Sequence, residues 1–378
     1  MKNSEKRDPP QKILIVKLSA IGDVIQTLPV AEALRKQYPE AHIAWVVEEE
    51  AGDLLTGHPT LDRVIVSRRK TWQKRFFRSG EFWSTLREVG EFIRDLRKQN
   101  YDWVIDTHGL FKSALLVFLS RGKRKIGYRR SPGIAEEGSY LFTNERYEPL
   151  SVERHALERY LDLVARLGVR VDKPELRFSP PADSLRKAES LVLGNGLLSR
   201  PLVIIHPMAK WPTKLWPGEK FAALAESLVK KKGASVIFTG SREDREPVEK
   251  IVRRIGPSKN ILILTGQTSL KELAGLFSFS DLVVTTDTGP MHLAAAVHAP
   301  LIALFGPTAP WRTGPYGDGP VILRQPLGCS PCFRKKCDST ECMNSLSVEA
   351  VLKAAEAKLD SVGNALPSGG EEKDRVLT

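Results

Sequence analysis

Leu282-Val283-Val284-Thr285-Thr286-Asp287-Thr288-Gly289-Pro290-Met291-His292 reads as a strand that runs directly into a helix. Five apolar or β-branched residues suit a buried strand, Asp-Thr-Gly makes the turn, and Pro290 fits the first helical turn, where its missing N–H costs nothing. His292 follows about one turn later on the same side. The free N–H groups of such a helix start favour an anion, so Thr288 and the amides near Gly289 form a candidate pyrophosphate pocket. Asp287 reads equally well as a helix cap and His292 as a satisfied structural residue. Asp-Thr-Gly also occurs in aspartic proteases, but the rhythm around it is parallel α/β rather than all-β.

Outward from this turn, short apolar runs alternate with helical patterns. Strands are expected at Pro201 to Ile205, Ser235 to Thr239, Ile261 to Leu264 and Leu301 to Phe305, with helices at Glu219 to Lys231, Leu270 to Phe279 and Pro290 to Val297. The first half has the same rhythm: strands at Lys12 to Lys17, His42 to Val47, Arg63 to Val66 and Tyr101 to Asp106, and helices from Val24 to Leu34, Phe82 to Gln99, Leu110 to Leu119 and His155 to Leu167. Near-continuous apolar strands imply parallel sheets covered on both faces. The reading is α/β: two Rossmann-like domains whose parallel sheets face a central cleft. Three prolines in Lys173 to Ala182 place the boundary there.

A length of 378 residues suits two domains, and 42% hydrophobic with 27% charged residues is ordinary for a globular chain. The 57 Lys and Arg against 45 Asp and Glu favour an anionic partner. No apolar leader follows Met1 and no run of about 18 apolar residues occurs, so a cytoplasmic protein is expected. No nucleic-acid motif is present, which weighs against the competing reading of a nucleic-acid-binding protein with a cysteine module.

Ligands of open parallel sheets bind beyond the carboxyl ends of the strands. In the first half that position holds Lys17-Leu18-Ser19-Ala20-Ile21-Gly22-Asp23. Gly22 permits close backbone approach, and Asp23 is either a helix-capping aspartate or a general base aimed into the cleft. No G-x-G-x-x-G is present, which counts against a dinucleotide oxidoreductase. In the second half, His206 to Pro217 carries Lys210 and Lys214 on a loop stiffened by proline and tryptophan. That pair suits a departing diphosphate without a metal, or is a solvated basic loop. Gly240-Ser241-Arg242-Glu243-Asp244 could set a carboxylate against a ribose.

Taken in order, ILIVKLSAIGDVIQTLP from Ile13, WVVEE from Trp45, YDWVIDTHGLFKSALL from Tyr101, KLWP from Lys214, DTGPMHLAAA from Asp287 and LFGPT from Leu304 resemble glycosyltransferase family 9, the bacterial lipopolysaccharide heptosyltransferases. The resemblance covers Ile13 to Leu359. It implies a GT-B fold and an inverting transfer that needs no metal or other cofactor. The implied donor is ADP-L-glycero-D-manno-heptose, and the implied acceptor is the Kdo-lipid A inner core.

By position, the resemblance makes Asp23 the base, Lys214 the phosphate-contacting lysine, and Asp287, Thr288, Gly289 and His292 the donor turn. Either Glu243 or Asp244 matches the ribose carboxylate. Ser19, Gly22, Lys210, His108 and Lys112 complete the candidate substrate-binding set.

The WVVEE and HGLFKSALL stretches are closer to members that add the first heptose to Kdo than to those that add the second. Addition of the second heptose, or of another sugar, is the alternative. The expected organisation is a disordered 1–10, an acceptor-binding domain over 11–175, a nucleotide-sugar domain over 183–346, a terminal helix over 347–360 and a disordered tail over 361–378. A monomer is expected, with peripheral contact at the inner membrane through the basic, aromatic stretch Arg68 to Arg78, which could also be a solvated loop.

All four cysteines, Cys329, Cys332, Cys337 and Cys342, lie within 14 residues. That spacing could close a small structural zinc site or stay reduced.

Overall fold

The structure is a computed structural model and describes residues 8–78, 80–197 and 201–364. In the first half, β1 (Lys12–Val16), α1 (Ile21–Gln37), β2 (His42–Glu48), α2 (Glu49–Leu55), β3 (Arg63–Ser67), α3 (Arg69–Phe76), α4 (Phe82–Leu96), β4 (Asn100–Asp106), α5 (Phe111–Leu119), β5 (Arg121–Tyr128), β6 (Glu145–Tyr147) and α6 (Ala156–Ala165) follow in order. The second half runs α7 (Ala182–Gly194), β7 (Leu202–His206), α8 (Gly218–Lys232), β8 (Ser235–Phe238), α9 (Arg245–Ile255), β9 (Ile261–Ile263), α10 (Leu270–Phe279), β10 (Leu282–Thr286), α11 (Gly289–Ala296), β11 (Leu301–Phe305), α12 (Pro310–Thr313), β12 (Val321–Arg324), α13 (Glu341–Asn344) and α14 (Val348–Asn364).

Each half is a six-stranded sheet in which the named strands pair in parallel, ordered β3-β2-β1-β4-β5-β6 and β12-β11-β10-β7-β8-β9. Counted within its own half, each has the doubly wound order 3-2-1-4-5-6. The chain reverses direction between β1 and β4, and again between β7 and β10, and a ligand crevice opens at each reversal. Every side chain of β7, β10 and β11 is buried, as expected of central strands covered on both faces.

The sequence reading missed β5, β6 and β12. Arg121 to Tyr128 carries four basic residues, and its first five positions are not fully buried, so it lacks the apolar run that marks a central strand. Strands β6 and β12 lie at sheet edges, where one side needs no apolar cover. Arg68 to Arg78 is largely the helix α3 rather than a loop. Trp72 is buried, Arg69 and Lys70 pair with Glu48, and Arg75 pairs with Glu81 and Glu88. Most of that stretch's charge is therefore spent internally.

The terminal helix belongs to the second half. Val351, Leu352, Ala355 and Leu359 join Phe221, Ala225 and Leu228 of α8 in one core. Helix α14 continues to Asn364, so 361–364 is helical rather than disordered, while residues 1–7 and 365–378 lie outside the described residues. No helix among the described residues is long and apolar enough to cross a membrane.

Candidate active site

Helices α1 and α11 start at the two crevices and meet across the cleft. A Cβ on Gly22 would lie 2.3 Å from Cδ2 of His292, and a Cβ on Gly289 would lie 2.9 Å from Cβ of Ile21. Both glycines are therefore required by close approach of one half to the other. For Gly22 this is the close approach that the sequence suggested, and the side chain it meets is His292.

Asp23 is the third residue of α1. Its Oδ2 accepts from the Ala20 amide at 3.1 Å, and its Oδ1 accepts from the Tyr160 hydroxyl at 2.8 Å, with Lys17 Nζ at 3.9 Å. One oxygen thus caps the helix, as the capping reading expects, while the other faces a cavity. Desolvation works against ionisation, but Lys17 and the hydrogen bonds from Tyr160 and Ala20 outweigh it and hold the carboxyl below its ordinary range. Asp23 is ionised at neutral pH, and its side chain is 38% exposed.

The cavity, about 270 Å³, is lined by Lys17, Ser19, Asp23, His108, Arg159 and Tyr160, among others. Lys17 donates to the Thr107 carbonyl at 3.2 Å and lies 3.8 Å from the Tyr160 ring centroid. Burial brings its pKa down to about 8, although Asp23 and Asp106 pull it up. Both ring nitrogens of His108 and Nε of Arg159 are buried without a hydrogen-bond partner among the described residues. Such groups are costly to leave unmatched, and they turn this pocket into one that seeks a polar or anionic ligand. Lys112 reaches Ser19 Oγ and, at 3.3 Å, Glu48 Oε1.

Lys17, Tyr160, Arg159 and Glu48 were missed from the sequence. Lys17 directly follows β1 and opens the stretch Lys17 to Asp23, so it could have been singled out. Tyr160 and Arg159 sit in an amphipathic helix more than 130 residues from Asp23, with no local signal to mark them.

On the facing half, Lys214 Nζ lies 2.7 Å from Asp287 Oδ2, which also accepts from Thr308 Oγ1 at 2.5 Å. Both members of the pair are largely buried, and the Nζ atoms of Lys214 and Lys335 lie 4.5 and 5.1 Å from the Trp211 ring centroid. Thr288 stands at the N-cap position of α11 without a side-chain capping bond, and Lys210 is exposed.

His292 is buried, with Gln26 Nε2 donating to its Nδ1 at 3.1 Å, which leaves the proton on Nε2. Desolvation lowers its pKa to about 4, so the imidazole is neutral.

Asp244 is spent on its own turn, accepting from Ser241 N at 2.8 Å and Ser241 Oγ at 2.7 Å, whereas Glu243 is exposed.

The zinc expectation is not met. Among the described residues no group of three or more Cys, His, Asp or Glu is placed to hold a metal ion. All four thiols are free: Cys329 and Cys337 are exposed, and Cys342 is buried in α13. The segment instead packs on the Gly306-Pro307 turn, with Cys332 N and Phe333 N donating to the Pro307 carbonyl.

Two doubly wound halves, with a carboxylate cavity on one side and a lysine-bearing helix start on the other, define a two-domain group-transfer enzyme of the nucleotide-sugar kind. Residues 89–343 match the model of glycosyltransferase family 9 (heptosyltransferase), and the chain belongs to that family. It is 31% identical over 329 residues to lipopolysaccharide heptosyltransferase 1 of Pseudomonas aeruginosa, covering 86% of this chain and 87% of that one. It is 32% identical over 327 residues to lipooligosaccharide heptosyltransferase 2 of Haemophilus influenzae, covering 82% and 88%. Among solved structures it is similar to the Escherichia coli heptosyltransferase WaaC with ADP, with TM-score 0.72 and 27% identity over 92% of this chain and 99% of that one. The same relative is known with ADP-2-deoxy-2-fluoro heptose. The chain is thus a glycosyltransferase with a GT-B fold.

Proposed function

We propose that this enzyme transfers L-glycero-D-manno-heptose from ADP-heptose to the Kdo-lipid A inner core of lipopolysaccharide at the cytoplasmic face of the inner membrane. The observation that carries the reading is Asp23. An ionised carboxylate at the mouth of a cavity holding unpartnered His108 and Arg159 is poised for an acidic sugar acceptor. The ADP bound to the Escherichia coli relative supports the donor half.

Asp23 Oδ1 takes the proton of the acceptor hydroxyl as its oxygen attacks the anomeric carbon, and ADP leaves from the opposite face with inversion. Lys214 stabilises the departing diphosphate, held in place by Asp287 and Thr308, so Asp287 is a positioning residue. Thr288 and the α11 amides hold phosphate, and Glu243 takes the ribose. No step calls on a metal.

Lys17, Arg159 and His108 face the acceptor's carboxylate, with Ser19 in the same lining and Lys112 held on Ser19 Oγ. We favour addition of the first heptose, directly to Kdo. The 32% identity to a heptosyltransferase 2 makes second-heptose addition the competing reading. Incubation with ADP-heptose and Kdo-lipid A, with or without a preceding heptose, separates the two by mass. A gain of one heptose on the acceptor lacking heptose supports our reading, and a gain only on the pre-heptosylated acceptor replaces it.

A further inference from the structure

Helix α5 is apolar on two sides. Ala114, Leu116 and Val117 face the core, yet Phe111, Leu115 and Phe118, at i, i+4 and i+7, are 46 to 59% exposed on the other side. An ordinary surface helix presents polar residues there. The stripe is extended by the single turn Ser139–Phe142, where Leu141 is 66% exposed and the Phe142 ring packs edge-on against Phe111 and Phe118.

Next along that turn, Tyr140 lines a second cavity of about 490 Å³ with Arg129, Arg130, Asn144 and Arg146. Arg63, Arg69, Arg75 and Arg124 of this half all have carboxylate partners. Arg129, Arg130 and Arg146 have none within 4.0 Å among the described residues, and Arg146 donates only to Thr143.

An exposed aromatic and aliphatic stripe rimmed by unpaired arginines matches the interfacial region of an anionic bilayer, with rings among the acyl chains and guanidinium groups on headgroup phosphates. The place in the fold agrees. Helix α5 starts directly after His108, Gly109 and Leu110, and Arg129 directly follows Tyr128, all four of which line the Asp23 cavity. We propose that the α5 stripe and the adjoining arginine cavity form the surface by which the enzyme docks on an anionic phospholipid membrane, with the acceptor cavity opening toward it. This rests on the proposed reading of a lipid-anchored acceptor and locates the contact away from Arg68 to Arg78. Pairing with a second copy is disfavoured, because each copy would bring its own unpaired arginines to the same contact.

Flotation of the full-length protein with vesicles of phosphatidylcholine, with or without phosphatidylglycerol, tests the surface without requiring transfer. The wild type is expected to float with the anionic vesicles, less so at high salt. The combined Arg129→Ser, Arg130→Ser and Arg146→Ser variant should bind them about a hundredfold more weakly. Leu115→Ser with Phe118→Ser should also lose binding, while Leu193→Ser, an exposed leucine on α7, should not. Retained melting temperature shows that the variants fold, and unchanged turnover of a deacylated, water-soluble acceptor shows that the catalytic site is intact. The proposal is overturned if the variants float like the wild type, if the wild type does not prefer anionic vesicles, or if it is a dimer that Phe118→Ser dissociates. Vesicle binding without transfer would refute the proposed reaction and leave the surface standing.

Discussion

The imidazole of His292 occupies the space that a β-carbon on Gly22 would need, 2.3 Å from Cδ2 to that position. Helix α1 of one half and helix α11 of the other are thus fitted to each other through a missing side chain. Gly22→Ala should force the α1 and α11 starts apart and lower transfer at least tenfold with little loss of secondary structure. Because the clash has one main partner, adding His292→Ala should recover part of the loss. A double-mutant cycle reads this directly, and strictly additive losses would contradict the proposed fit.

Lys214 and Asp287 form a largely buried pair, so removing one member strands the other's charge. Lys214→Met should destabilise the fold by about 3–5 kcal/mol as well as weakening the transfer step. The double variant Lys214→Met with Asp287→Asn should recover stability but not activity. Denaturant midpoints and initial rates measured together check the split, and recovery of both would remove Lys214 from the chemistry.

Burial of His292 makes its protonation cost folding stability. Its folded pKa of about 4 lies below the ordinary histidine value of 6.5, so the unfolded chain binds the proton more readily. Stability is therefore full above the unfolded pKa and is lost as pH falls through the window from 6.5 toward about 4. This group alone should account for about 2 kcal/mol between about pH 7 and pH 5. Urea midpoints of wild type and His292→Gln at the two pH values test the assignment: the variant should lose less. An equal fall would show that His292 is not the group responsible. His206, also lowered to about 4 by burial, adds a parallel loss in both proteins.

The legible part of this protein was the part encoded locally. Buried central strands are apolar runs, so β1, β2, β4, β7, β10 and β11 stand out in the sequence, and the turns after them could be searched for chemistry. Strands β5, β6 and β12 were hidden because charged or edge positions break the apolar pattern. Asp23 and Lys214 could be singled out as candidates because each lies beyond a strand end. Tyr160, Arg159 and Glu48 act on the site only through folding, and no spacing rule links α6 or the end of β2 to Asp23. Gly22 was marked for close approach, but its partner was not legible: it faces His292 from 270 residues away.

Asp244 closes its own turn, whereas Glu243 stands exposed beside it. Glu243→Gln should raise KM for the ADP-sugar several-fold with kcat nearly unchanged. Asp244→Asn should lower the melting temperature and affect KM only as far as the turn loosens. Steady-state kinetics with melting curves decides between them, and the reverse pattern would make Asp244 the ribose ligand.

Asp23 carries the central claim, since the account places the chemistry on that carboxylate and the donor on the opposite half. The direct test is transfer by Asp23→Ala, measured as heptose mass added to Kdo-lipid A alongside ADP binding by calorimetry. We predict that transfer falls by about 10²–10⁴-fold while ADP affinity stays within a factor of about two. Wild-type transfer by Asp23→Ala would contradict the account.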